Sequence, residues 1–209
     1  MTYFPLTNTY PASQYWGIDL RSCTYGSRTI ISTRIAGILD TGDPSVFALY
    51  ACRDTYLFSS WTGILIPDDL FRIFLNAIPG AKFDTKIGLI EIPPSRSSSH
   101  DEQMQPLHFK FGDHTFTLDV QSQLLPRSMN TECGGDVEKQ YGIIGPIGHV
   151  AGDANDVDFV LGIPFMQKYY TVSSGSCFEK SMLNGHPWQV YDANKRRIGF
   201  APSQAYVLV

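Results

Sequence analysis

Ala36-Gly37-Ile38-Leu39-Asp40-Thr41-Gly42 carries an apolar run into an Asp-Thr-Gly tripeptide. The run has the composition of a short strand, and a strand that ends in Asp delivers a carboxylate to a buried floor. Gly42 lets backbone approach a ligand closely, and the Thr41 hydroxyl can brace the turn. Taken alone the tripeptide proves little: with each residue type at about 5–7%, it arises by chance in roughly one chain in twenty or thirty of this length. In isolation it reads as a strand-ending turn, so its meaning depends on its surroundings.

Those surroundings are strand-rich and foldable. Of 209 residues, 43% are apolar and 13% aromatic against 17% charged, which is enough to close a core as a single domain and too apolar for disorder. The formal net charge of −4, from 16 Lys and Arg against 20 Asp and Glu, offers no basic footprint, so no nucleic-acid partner is expected. The one basic run, Lys195-Arg196-Arg197, reads as a solvated turn. Apolar stretches such as Gly63-Ile64-Leu65-Ile66 stop after a few residues, far short of the roughly 20 needed to cross a bilayer, and no membrane partner is expected either. The opening Met1-Thr2-Tyr3-Phe4-Pro5-Leu6-Thr7-Asn8 has neither a basic start nor an apolar run of signal-peptide length.

Short strands account for most of the pattern. Leu107, Phe109 and Phe111 alternate with polar neighbours, Gly112-Asp113-His114 supplies a turn, and Phe116, Leu118 and Val120 alternate again, which predicts a β-hairpin with one buried face. Further strands are expected at Thr29 to Thr33, Gly37 to Leu39, Gly88 to Ile92, Tyr141 to Ile144, Tyr169 to Val172 and Arg197 to Ala201. One amphipathic helix is expected from Pro67, with Asp68 and Asp69 in its first turn and Leu70, Phe71, Phe74, Leu75 and Ile78 on one side, stopped by Pro79-Gly80. Pro93-Pro94-Ser95-Arg96-Ser97-Ser98-Ser99 reads as a surface excursion.

Other chemistry finds little support. Cys23, Cys52, Cys133 and Cys177 are scattered without a CxxC, and their three possible disulfide pairings stay open. Asp153-Ala154-Asn155-Asp156-Val157-Asp158 is acidic enough for Ca²⁺ but lacks the binding loop's Gly and closing Glu, so it reads as a solvated turn. Gly142-Ile143-Ile144-Gly145-Pro146-Ile147-Gly148 has no Gly-Lys-Ser/Thr ending and reads as a β-turn rather than a phosphate loop. The five histidines form no metal spacing, and there is no Gly-x-Ser-x-Gly of a serine hydrolase. No metal site is expected.

Three blocks change the weight of the tripeptide. The apolar-apolar-Asp-Thr-Gly is followed by Asp158-Phe159-Val160-Leu161-Gly162-Ile163-Pro164-Phe165-Met166-Gln167-Lys168-Tyr169-Tyr170-Thr171-Val172 and then by Tyr191-Asp192-Ala193-Asn194-Lys195-Arg196-Arg197-Ile198-Gly199-Phe200-Ala201. In that order they resemble the C-terminal lobe of a pepsin-like aspartic protease. Tyr15-Trp16-Gly17-Ile18-Asp19 and Pro126-Arg127-Ser128-Met129-Asn130-Thr131 resemble a fungal branch of the family. The resemblance implies a mainly β fold, a single pepsin-like acid-protease lobe of antiparallel sheets with one or two short helices, spanning 1–209. It implies an aspartic-type endopeptidase without a cofactor, acting on a peptide or protein substrate. Asp40 would be the catalytic aspartate, with Thr41, Gly42, Thr62, Leu161 and Gly162 supporting the catalytic loop. It also implies a secreted protein, although the chain shows no signal peptide.

Two stretches depart from the pattern. Asp43-Pro44-Ser45 follows the tripeptide where the family runs straight on to Thr or Ser, and Thr62-Gly63-Ile64-Leu65-Ile66-Pro67 resumes the pattern only after the insertion 43–61. A second insertion, 173–190, separates Tyr170-Thr171-Val172 from Tyr191-Asp192. Neither has an apolar period suited to the fold, and each reads either as a surface loop, whose closure cost grows slowly with length, or as retained intron sequence in the gene. The sequence holds one Asp-Thr-Gly and no Asp-Ser-Gly. The second carboxylate of such an enzyme would therefore come from a missing N-terminal lobe or from a homodimer partner, and an isolated monomer is expected to show little or no activity. The competing expectation is a catalytically inactive half-lobe that binds peptide or serves as a structural fragment.

Overall fold

The computed structural model describes residues 2–15, 17–32, 34–39, 63–94, 104–153, 155–173 and 197–202. The first half contains β1 (Thr2–Pro5), β2 (Gly17–Leu20), β3 (Ser22–Tyr25), β4 (Arg28–Ile31), β5 (Ile35–Leu39), β6 (Ile64–Ile66), helix α1 (Asp68–Leu75), β7 (Lys82–Asp84) and β8 (Leu89–Ile92). The second contains β9 (Leu107–Phe111), β10 (His114–Leu118), β11 (Gln140–Gly142), β12 (Ile144–Pro146), β13 (Phe159–Leu161), helix α2 (Ile163–Lys168), β14 (Tyr169–Ser173) and β15 (Arg197–Pro202). The strands form four sheets, ordered β10-β9-β3-β4, β12-β6-β13-β5-β2, β11-β8-β7 and β1-β15-β14. The chain is mainly β with two short helices among the described residues. The five-stranded sheet is mixed, because β5 runs parallel to β13 and β6 parallel to β12.

The four-stranded sheet follows the alternation in its sequence. Leu107, Phe109, Phe111, Phe116 and Leu118 are buried, while Lys110, His114 and Thr115 are exposed. Phe111 pairs with His114, which leaves Gly112-Asp113 as a two-residue turn. Gly112 sits at φ +56°, a left-handed backbone that costs glycine nothing. Val120 is buried as well, but past the end of β10, where the chain has already left the sheet for a short 3-10 turn at Gln121–Gln123. The inward rings gather with Phe4, Phe165 and Phe200 into an aromatic core; Phe116 and Phe200 lie 5.2 Å apart and Phe165 and Phe200 5.5 Å, both edge to face.

Helix α1 packs Phe71 and Phe74 inward and ends at Leu75, before the expected stop. Tight bonds from the Ala77 and Ile78 N–H groups to Phe74 and Leu75 carbonyls turn the chain early, and Ile78 is still buried. Asp68 and Asp69 are more than helix-start residues. Gly148 N–H donates to Asp68 Oδ1 at 2.8 Å and Ala151 N–H to Asp69 Oδ1 at 3.2 Å, so they hold the loop after β12. The single strand expected from Tyr141 to Ile144 is two, in different sheets, broken at Ile143. Ile143 donates to the Gln123 carbonyl at 3.0 Å and accepts from Ile64 N–H at 3.1 Å. Gly142–Gly148, expected to be a turn, is thus a strand switch. At the other end of the chain Ser173 pairs with Ile198, so segment 174–196, which lies outside the described residues, connects two neighbouring antiparallel strands.

Candidate active site

Strands β5, β6 and β13 are short and wholly apolar, the composition of strands covered on both faces. Leu161 of β13 has no exposed surface. It pairs in parallel with Leu39 on one side and antiparallel with Ile64 on the other. Leu39 is the residue before Asp40, and Ile64 follows Thr62 by two positions. Asp40, Thr41, Gly42 and Thr62 lie outside the described residues. The described residues establish where their segment leaves and re-enters the sheet: at the end of β5 and the start of β6, each about 4.8 Å, one strand spacing, from Leu161. Gly162 follows at once, buried, and its carbonyl accepts from the N–H groups of Phe165 and Met166 to start α2. Of the support residues expected from the sequence, Leu161 and Gly162 therefore stand beside both flanks of the Asp40 segment.

The backbones here approach so closely that side chains are excluded. A Cβ on Gly37 would lie 2.3 Å from the Phe159 carbonyl oxygen and 2.4 Å from its ring. Next along the sheet, Gly17 pairs with Ile38, and a Cβ on it would meet the Ala12 carbonyl oxygen at 2.3 Å. Beyond that pair, Thr7 Oγ1 donates to Asp19 Oδ1 at 2.7 Å, and Asp19 also pairs with Arg34, whose guanidinium it holds above its ordinary pKa by hydrogen bond and charge.

The solvated-turn reading of Asp153–Asp158 holds for its start and fails at its end. Asp153 Oδ1 accepts from Asn155 N–H at 2.9 Å, and Asp153, Asn155 and Asp156 are exposed. Asp158 is buried, because its backbone already runs in line with β13: its N–H donates to the Ala36 carbonyl at 2.9 Å while Ala36 N–H donates to Asp158 Oδ2 at 3.0 Å. Sequence reasoning missed this residue. The signal was there, since an acidic side chain directly before a wholly buried run must find donors.

Among the described residues no three metal-ligating side chains cluster and no helix is long and apolar enough to cross a membrane. Burial pushes the Cys23 thiol pKa well up, which disfavours the reactive thiolate. Arg197 corrects part of the basic-run reading: it opens β15 and lies 3.9 Å over the Tyr3 ring. Lys195, Arg196, Cys52, Cys177, Ser95–Ser99 and the insertion 43–61 lie outside the described residues.

Mainly β sheets, a mixed central sheet and an Asp-bearing segment that leaves and returns around an apolar-apolar-Gly strand define the fold class as that of the pepsin-like aspartic proteinases. The chain is related to the fungal branch of that family. It is 32% identical over 201 residues to polyporopepsin from Irpex lacteus, which covers 96% of this chain and 46% of that protein. The crystal structure of the aspartic proteinase from Irpex lacteus matches with a TM-score of 0.70 at 32% identity, over 97% of this chain and 46% of that one. The chain thus spans a little under half the length of these relatives. No family model matches it.

Proposed function

We propose that residues 1–209 are the C-terminal lobe of a pepsin-like aspartic endopeptidase and that Asp40 is the catalytic carboxylate they supply. The observation that carries this reading is the placement of the end of β5 and the start of β6 on either side of Leu161-Gly162. Thr41 and Gly42 would shape the loop around Asp40, and Thr62 would close it on the returning side. Two carboxylates held close together cannot both ionise, so such a pair shares one proton and titrates as a unit. One takes a proton from the attacking water while the protonated partner donates to the scissile carbonyl oxygen. A peptide or protein is the substrate, no cofactor is needed, and the protein acts outside the cell.

The chain has a single Asp-Thr-Gly, so the partner carboxylate comes from an N-terminal lobe or from a second copy of the chain in twofold contact. The test is hydrolysis of a protein substrate at acid pH by the monomer, by a dimer and by the chain mixed with an N-terminal lobe, each with and without a pepstatin-like transition-state mimic. Activity is expected only in the two assembled forms and is expected to vanish in Asp40→Asn. Hydrolysis that survives Asp40→Asn sinks the assignment. The single Asp-Thr-Gly also favours a second reading, a non-catalytic peptide-binding half, which peptide binding without hydrolysis in every assembly would select.

A further inference from the structure

Resting on that reading of Asp40, we propose that Asp158 is the positioning residue that sets where β5 ends and therefore where Asp40 stands. The ladder between β5 and β13 has three residue pairs: Gly37 with Phe159, Ile38 with Val160, Leu39 with Leu161. Ile38, Leu39, Val160 and Leu161 are interchangeable in kind, so their side chains discriminate little between registers, and the close fit of Gly37 against Phe159 is joined by a polar clamp at the start of the ladder. A slip of one residue would move the end of β5 by about 3.3 Å. That displacement exceeds what a reacting group tolerates, since a shift of about 1 Å can cost on the order of 100-fold in rate.

Asp158 opposes the slip with polar groups. Its N–H and its Oδ2 grip both backbone groups of one residue, Ala36, at 2.9 and 3.0 Å. Its Oδ1 accepts from Gly152 N–H, which ties the same carboxylate to the loop entering β13. Gly152 sits at φ +83°, a backbone that presents its N–H to Asp158 and that other residues rarely adopt. In any other register the buried carboxylate would lose its Ala36 donor, and an unsatisfied buried charge is strongly disfavoured. Asp158 stands level with Ala36, three residues back from Leu39 at the end of β5 and roughly 10 Å at strand spacing, so it acts through β5.

The test compares Asp158→Ala, Asp158→Asn and the exposed control Asp156→Asn in the full chain. Amide hydrogen exchange of residues 36–39 should rise at least about 10-fold in Asp158→Ala beyond any change in the β9–β10 hairpin, and less in Asp158→Asn, whose one amide oxygen can serve only one of the two donors. In the assembly that shows Asp40-dependent hydrolysis, kcat should fall at least about 10-fold with KM within about twofold, and Asp158→Asn should recover part of it. Exchange that rises equally in the hairpin, an unchanged kcat, or a rise in KM alone overturns the proposal. Should Asp158→Ala fail to fold, Asp158→Asn is read against the same outcomes. Wild-type protein without Asp40-dependent hydrolysis overturns the catalytic reading alone; the exchange result, which needs no activity, then decides whether Asp158 sets the end of β5.

Discussion

In the four-stranded sheet β9 buries Leu107, Phe109 and Phe111 and turns His108 and Lys110 outward, whereas in the five-stranded sheet β6 and β13 bury every residue they have. The first sheet has one wet face and is held by side chains that reach into a shared aromatic core. The second has no wet face at its centre and is held by backbones pressed together at Gly37 and Gly17 and by the Asp158 carboxylate. A sheet of the first kind adapts to a changed side chain by repacking. Where backbones meet at Gly37 and Gly17 the second sheet has no side chain to move, and it is the one that carries the Asp40 segment.

The sharpest way to break this contrast is Gly37→Val. Its Cβ would fall 2.3 Å from a backbone oxygen of Phe159, which no rotamer change relieves. The expected loss is about 4 kcal/mol or more, or no folded protein at all; a urea midpoint within error of wild type would refute the rigid-centre picture. Phe165→Ala should come next, at about 3–5 kcal/mol by chemical denaturation. Phe165 is fully buried among Phe109, Phe111, Phe116 and Phe200. A loss near 1 kcal/mol would mean the aromatic core collapses around the gap.

The smallest effect is expected at Tyr25 of β3, whose hydroxyl oxygen accepts from Gln105 N–H at 2.9 Å beside the ring of Phe74. Tyr25→Phe should cost about 1 kcal/mol. Burial pushes the Tyr25 pKa up, only partly offset by the Gln105 hydrogen bond. The folded state therefore keeps a proton that the unfolded chain releases near pH 10, so stability is full below that pH and falls as pH rises through it toward the folded pKa. Unfolding midpoints measured from pH 9 to 11.5 should fall less steeply in Tyr25→Phe; identical slopes would show that Tyr25 does not contribute to the alkaline limb.

The same contrast explains what could be read in advance. Alternation in Leu107–Leu118 announces a half-buried hairpin because every second side chain meets water. Ile64–Ile66 and Phe159–Leu161 have no alternation, and Ser22–Tyr25 lacks a strong apolar signal, so their places as strands emerge only with their neighbours. Asp158 reads as part of a solvated turn, and Asp68 and Asp69 only as first-turn residues of the helix, because a carboxylate that captures a distant backbone N–H has the same sequence appearance as one that captures water. Leu161 and Gly162 can be named from the ordered blocks as neighbours of the proposed site. What could not be read was that Leu161 lies between Leu39 and Ile64, because contacts between distant segments leave no local period.

By itself the sequence determined the class of chain: mainly β, with a hairpin and a Pro67-led helix dictated by local periodicity, and an Asp-Thr-Gly whose meaning came from two later blocks. Tertiary structure alone decided the mixed direction of the central sheet, the division of Tyr141–Ile144 between two sheets and the burial of Asp158. The physical reason is one of range. Local pattern records which side of a strand meets water, whereas parallel pairing and buried hydrogen bonds depend on partners such as Ala36 and Asp158, which are 122 residues apart in sequence.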